Sequence, residues 1–369
     1  MPLPSRATRL VAGSLLLVTG CTEPTVVSDC VPGVDPDCDM PMPADEVVAG
    51  VNLTALFAPP TMAEVEAARA TTPATDAEAT VTALPAGRDG VQRFRLALDR
   101  EGRRIVTAFV RVPGTLAETT RLPVAVVLTD GTDGATDADA LTDASFGALV
   151  DGFVQIVVAY RGESLAVDGE AARSDLAPDP YRADVADVRA VLAALPRVPR
   201  ADRQRVAILG VGRGGTVALL TALQDPAAVD AVVTLGAPTD LFAPSFRDEA
   251  RTRLLEESPT APYPALDVLA APVLAVRDGE LAPGAARVAL AALSPARLAA
   301  GRTLPAVLAL HAAGDLVVGE DQLASLRAAL TSEAGTSRVA DVVEGADHDG
   351  LIRVPTVQSR IVAFLGTAL

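Results

Sequence analysis

The 369-residue chain has no lysine and no tryptophan, and aromatic residues make up only 3% of it. Its core must therefore come from alanine, valine and leucine, which the 50% apolar fraction supplies in amounts adequate for one large domain. Histidine is almost absent, with only His311 and His348 in the whole chain. One loop histidine among scattered carboxylates is not a zinc pattern, so no metal and no cofactor is expected. Positive charge is scarce: 31 arginines face 47 aspartates and glutamates, a net charge of −16. Such a surface repels phosphate backbones and excludes nucleic acid as a partner. No segment has the eighteen or more uninterrupted apolar residues that would mark a transmembrane helix.

The three cysteines, Cys21, Cys30 and Cys38, all lie near the N-terminus. Arg6 and Arg9 precede a short apolar run, Leu10–Thr19, which is too short to span a bilayer and has the form of an export signal over residues 1–20. The following Val18-Thr19-Gly20-Cys21 resembles the lipobox of bacterial lipoproteins, in which the cysteine is acylated and becomes the mature N-terminus. That resemblance implies lipidation at Cys21, a membrane partner reached through it, and a lipid-anchored position in the cell envelope, facing the periplasm or the cell surface. Residues 21–44 read as an acidic, proline-rich tether. In an oxidising compartment Cys30 and Cys38 can close a small disulfide loop. Asp35, Asp37 and Asp39 between them either suit a hard cation or simply keep the tether acidic.

Residues 45–90 read as N-terminal decoration, with a helix over Met62–Arg69 and a loop over Thr71–Ala86. From residue 91 to 369 strands alternate with helices. Val91–Leu98 and Arg104–Val112 form a hairpin. Pro123–Thr129 and Phe153–Tyr160 are continuous apolar runs of the kind covered on both faces of a parallel sheet. The helices are Ala138–Val150, Tyr181–Leu195, Thr216–Leu223 and Thr356–Leu365. Further strands are Arg205–Leu209, Ala231–Leu235, Ala306–His311 and Arg338–Val343, and Leu241–Leu304 is long enough for several more helices. This alternation specifies an α/β fold with a mostly parallel central sheet and helices on both faces.

Sites in such folds form beyond the carboxyl ends of the strands. Three points there stand out. In Gly210-Val211-Gly212-Arg213-Gly214-Gly215, Gly212 occupies the place of the serine in a G-x-S-x-G elbow. Asp315 follows the strand ending at His311, and His348 follows the strand ending at Val343. The order nucleophile, acid, histidine resembles that of the α/β-hydrolase fold, and in particular its prolyl oligopeptidase-like (peptidase S9 type) catalytic domain. Tyr160-Arg161-Gly162, Arg213-Gly214-Gly215 and Gly236-Ala237-Pro238-Thr239-Asp240 carry the same likeness, which spans roughly residues 91–369.

The resemblance implies that Asp315 orients His348, that His348 is the general base, and that His311 is structural. It also implies an oxyanion hole at the backbone of Arg213 and in the loop Gly131–Thr132. That loop departs from the family's H-G pair at Asp130, whose carboxylate either points to solvent or stands near the site meant to hold an anion. Glycine has no nucleophile, and losing a triad hydroxyl removes on the order of 10⁶ in turnover. Two expectations result. One is a degenerate hydrolase acting in binding or scaffolding, with a peptide or ester-like small ligand in its pocket. The alternative is an active ester or peptide hydrolase using His348 and Asp315 with activated water or a non-standard nucleophile, for which Ser164, Ser174 and Thr216 are the candidate hydroxyls.

Overall fold

The computed structural model describes residues 45–369 except 71–75, 88–89, 115–116, 118, 132–133, 142–150, 259–260 and 331–335. The export signal, Cys21, the tether with Cys30 and Cys38, and Thr132 lie outside the described residues. Among the described residues no helix is long and apolar enough to cross a membrane.

Nine strands form the central sheet: β1 (Glu78–Ala83), β2 (Gln92–Arg100), β3 (Arg103–Val112), β4 (Leu122–Leu128), β5 (Val154–Ala159), β6 (Ala201–Val211), β7 (Ala231–Leu235), β8 (Ala306–Ala312) and β9 (Arg338–Val343). Their spatial order is β9-β8-β7-β6-β4-β5-β3-β2-β1. The six strands from β9 to β5 are parallel, and β3, β2 and β1 close the far edge as an antiparallel meander. The apolar runs divide by the period of two expected of strands. Val124, Val126, Ile156, Val206, Ile208, Val232 and Val307 face one core, while Ala125, Val127, Val157, Leu209, Val233 and Leu308 face the other.

The larger core receives helices α1 (Met62–Arg69), α2 (Arg182–Ala194), α3 (Arg213–Gln224), α4 (Pro244–Leu254), α5 (Leu266–Arg277), α6 (Pro283–Ala292), α7 (Pro295–Ala299) and α8 (Glu320–Ala329). The smaller core is closed by α9 (Pro355–Ala368), through Val357, Ile361, Phe364 and Leu365. The long stretch between β7 and β8 thus supplies four helices. The segment before β2 is bound tightly to them. Arg287 of α6 donates to the carbonyls of Ala55, Leu56, Ala58 and Pro59 and pairs with Glu64, and residues 45–369 form one compact unit.

Two local expectations need correction, and one further segment adds a hairpin. Glu78–Ala83 lies within the expected loop yet pairs antiparallel with β2 as the sheet edge. Only Ala79 of it is fully buried, so its Thr- and Ala-rich sequence carries no apolar run to announce a strand. The segment after Gly162 is a hairpin, Ser164–Val167 with Glu170–Arg173, turned at Asp168 (φ +52°) and Gly169 (φ +82°). At the head of the expected helix Ala138–Val150, Asp137–Asp139 makes one 3₁₀ turn and Ala140 is extended. The remainder, 142–150, lies outside the described residues.

Candidate active site

Strand β6 passes into α3 at Gly212, whose backbone stands at φ +48°, ψ −115°. A residue with a Cβ is strained there by roughly 1–3 kcal/mol, and glycine is not. The Gly212 N–H donates to the Leu235 carbonyl (2.8 Å), and the Gly215 N–H returns to the Gly212 carbonyl (3.0 Å), which closes the turn. The neighbouring glycines are required by close approach. A Cβ on Gly210 would lie 2.2 Å from the carbonyl of Gly214, and one on Gly214 would lie 2.4 Å from the Leu128 oxygen. The spacing of glycines thus lets α3 start directly against β4 and β6.

Across the sheet, the turn after β8 presents Asp315. Its Oδ1 accepts from the N–H groups of Val317 (2.9 Å) and Val318 (2.8 Å), which fixes the carboxylate. Its Oδ2 lies 2.8 Å from Nδ1 of His348, carried by the loop after β9. Gly236, at the end of β7 with φ +58°, leaves the room for this contact: a Cβ there would sit 3.1 Å from both Asp315 Oδ2 and His348 Nδ1. His311 packs beneath, with Nε2 2.8 Å from the Val318 carbonyl and 3.6 Å from Asp315 Oδ2. An acid and a histidine from two different loops are thereby brought together with the elbow.

The space beside Gly212 is filled by Asp130. Its Oδ1 accepts from the Arg213 N–H at 2.7 Å, the donor that an oxyanion would need. Its Oδ2 lies 2.9 Å from His348 Nε2, the nitrogen that would take a nucleophile's proton. A Cβ built on Gly212 would fall 1.8 Å from Asp130 Oδ1 and 2.2 Å from its Cγ. The carboxylate therefore stands in the volume that a serine side chain would occupy, and Gly212 is what leaves that volume open.

This arrangement sets the charge of the histidine. Burial opposes the imidazolium, but hydrogen bonds and charge from Asp130 and Asp315 outweigh it, raising the His348 pKa from 6.5 to about 10. Asp315 is pushed upward by burial, yet the bond from His348 and the backbone donors leave its pKa below the ordinary value. At neutral pH the site is a carboxylate–imidazolium–carboxylate row. A protonated His348 has no lone pair to accept a proton. An oxyanion forming about 4 Å from Asp130 would meet repulsion of about 4 kcal/mol at an effective dielectric near 20.

Below the elbow lies a network absent from the sequence reading. The Arg213 side chain is fully buried and binds Asp184 through two contacts (2.8 and 2.9 Å), Glu163 (2.7 Å) and the Gly131 carbonyl (3.1 Å). Its guanidinium stacks 4.4 Å from the centre of the Tyr160 ring. Burial works against the cation, but Asp184 and Glu163 hold its pKa above the ordinary arginine value. The neighbouring Arg161 forks onto Asp187 of α2 (3.0 and 3.1 Å), so Tyr160-Arg161-Gly162 fixes α2 beneath the site. An arginine one residue past the elbow and a glutamate just after Tyr160-Arg161-Gly162 were the available signals, but only the fold joins them.

Of the expected oxyanion-hole residues, Arg213 supplies its N–H to Asp130, Gly131 turns its carbonyl to the Arg213 side chain, and Thr132 lies outside the described residues. The candidate substitute hydroxyls are engaged elsewhere or sit on the hairpin. Thr216 donates to the Pro238 carbonyl, Ser174 donates to the Arg104 carbonyl, and Ser164 starts the hairpin strand. Among the described residues both ring nitrogens of His348 are taken by carboxylates.

A model of the FrsA-like esterase family matches residues 181–320, the part from α2 to the turn beyond Asp315. No curated protein matches the sequence. Among solved structures, acetyl xylan esterase 1 from Thermoanaerobacterium sp. JW/SL YS485 superposes with a TM-score of 0.57 at 13% identity, covering 86% of this chain and 94% of that one. A puromycin-hydrolysing peptidase of Mycobacterium tuberculosis gives 0.52 at 22% identity, covering 81% of this chain and 40% of the other. A prolyl endopeptidase gives 0.52 at 18% identity, covering 77% and 39%.

Proposed function

We propose that this protein, built on the prolyl oligopeptidase-like α/β-hydrolase fold, has given up serine acyl transfer and serves as a binding or scaffolding lipoprotein of the cell envelope. One observation carries the reading: the Asp130 carboxylate lies on Arg213 N–H and His348 Nε2, in the space left by Gly212. A carbonyl substrate would find no hydroxyl, an occupied oxyanion donor and a charged base. A peptide or ester-like ligand would instead meet a fixed row of charges at the strand ends. The envelope position rests on Arg6, Arg9, the apolar run Leu10–Thr19 and Cys21. The test is a pair of assays on the purified protein. It should neither label with a fluorophosphonate nor cleave p-nitrophenyl esters. Ester cleavage that disappears in His348→Ala would overturn the reading.

A second reading has the same contact in its favour. Asp130 touches both groups that a nucleophile needs, so it is the candidate non-standard nucleophile if the chain hydrolyses esters. Attack by its carboxylate would give a mixed anhydride and expel the alkoxide, and water would then regenerate the carboxylate. Turnover in H₂¹⁸O that places ¹⁸O in Asp130 would favour this reading. Unlabelled Asp130 in a protein with no esterase activity favours the first.

A further inference from the structure

The opposite end of the elbow helix faces a second concavity. Helices α1, α2, α3, α6 and α7 border a cavity of about 300 Å³, at the small end of the ~300–1,000 Å³ usual for ligand pockets. Its lining includes Leu220 and Leu223 from the last turns of α3, Val185 from α2, and Val288, Ala289 and Ala292 from α6. Helix α6 reads Pro-Gly-Ala-Ala-Arg-Val-Ala-Leu-Ala-Ala. Its outward-leaning alanines end at Cβ, so the space that longer side chains would fill stays open. Leu223 lies eleven residues beyond Gly212, about 16 Å along α3 at the helical rise, so the far end of the cavity stands apart from Asp130, while Tyr181, whose N–H donates to Asp184 of the Arg213 network, lines its near end.

Charge at this cavity runs against the rest of the molecule. The chain carries 47 acidic side chains, yet none lines the cavity, whereas Arg69, Arg182 and Arg302 all do. Arg182 and Arg302 are exposed, and neither side chain has an ion-pair or hydrogen-bond partner among the described residues. Arg69 is already engaged, paired with Glu66 through Nη1 and holding the carbonyls of Leu298 and Ala300 through Nη2, with its Nε–H buried without an acceptor.

We propose that this cavity binds a free medium-chain alkanoate, with the alkyl chain between α3 and α6 and the carboxylate at Arg182 and Arg302. The two parts of the ligand match the two parts of the site. Apolar walls accept methylenes and exclude water, and guanidinium groups bind a carboxylate bidentately. A lipid acyl ester would fill the same walls but would bring no carboxylate to the arginines. The proposal goes beyond the loss of serine chemistry and does not depend on it.

The test is isothermal titration of the full chain with octanoate, decanoate and dodecanoate, and with the matching 1-alkanols. One site per chain is expected, with affinity rising about fourfold per methylene until the cavity is full and then levelling. The alkanols should bind at least tenfold more weakly. The Arg182→Ala/Arg302→Ala variant should weaken alkanoate binding at least tenfold and leave the alkanols unchanged. Ala289→Phe should abolish both, and Ala292→Phe provides a second filled cavity if the first variant fails to fold. Asp130→Asn should change neither. Absence of binding, or binding that ignores the arginine and cavity-filling variants, would overturn the assignment. So would phosphatidylglycerol vesicles binding through the same residues in place of the free acid.

Discussion

Placing a serine at the elbow should not by itself create a reactive nucleophile. In Gly212→Ser the new Cβ would stand 1.8 Å from Asp130 Oδ1, so the carboxylate must leave. Leaving breaks its bonds to Arg213 N–H and His348, each of roughly 1.5–3 kcal/mol for a charged partner. The positive φ at the elbow adds roughly 1–3 kcal/mol of strain for any residue with a Cβ. Together these give a destabilisation of about 4–9 kcal/mol before relaxation, and a displaced carboxylate still near the oxyanion position. Gly212→Ser/Asp130→Ala removes the clash, frees the Arg213 N–H and leaves His348 paired with Asp315 alone. The double variant should label with fluorophosphonate at least tenfold faster than the single one, and a third change, His348→Ala, should abolish that labelling. Urea denaturation should show the second substitution recovering little of the stability lost in the first, because it restores neither the two carboxylate bonds nor the unstrained elbow. Equal labelling by the single and double variants would refute the argument that Asp130 occupies the nucleophile's place.

Further outcomes follow from the charged groups and the N-terminus. Arg213→Leu strands Asp184 and Glu163 in a buried site and should destabilise the fold by about 3–5 kcal/mol, read from the denaturation midpoint. His348 has a folded pKa of about 10 against 6.5 in the free side chain, so its pairing contributes stability that is complete below pH 6.5. That contribution is lost as the pH rises through about 10. Its upper bound is about 5 kcal/mol, and urea midpoints should fall over this window more steeply in the wild type than in His348→Gln. Cys21→Ala should move the protein from the membrane fraction to the soluble fraction and abolish its labelling by a fatty-acid probe.

Much of the architecture can be read from periodicity, because a strand covered on both faces needs an unbroken apolar run. Pro123–Thr129, Phe153–Tyr160 and Ala231–Leu235 have such runs, and each coincides with a parallel strand within a residue or so at either end. The strand Glu78–Ala83 has none, because as an edge it buries only one residue fully. The hairpin at Asp168-Gly169 did carry a turn signal, an Asp-Gly pair between short alternating segments. At the site, chain order was enough to single out Asp315 and His348, since each follows a recognisable strand. The presence of Asp130 was equally visible, but its direction was not. Whether that carboxylate faces solvent or the elbow depends on empty volume at Gly212, contributed 82 residues later in the chain. The ion pairs of Arg213 join β6–α3 to Glu163 and Asp184 in the same non-local way. Such contacts leave no periodic trace in sequence.

The ionisation of His348 tests the central claim most directly. With only two histidines in the chain, imidazole ¹⁵N resonances can be assigned by comparing the wild type with His348→Gln. If Asp130 and Asp315 hold the ring from both sides, His348 should stay doubly protonated at pH 7.5 and titrate near pH 10. In Asp130→Asn it should titrate at a clearly lower pH. A wild-type His348 that titrates near 6.5, with no change in Asp130→Asn, would contradict the account.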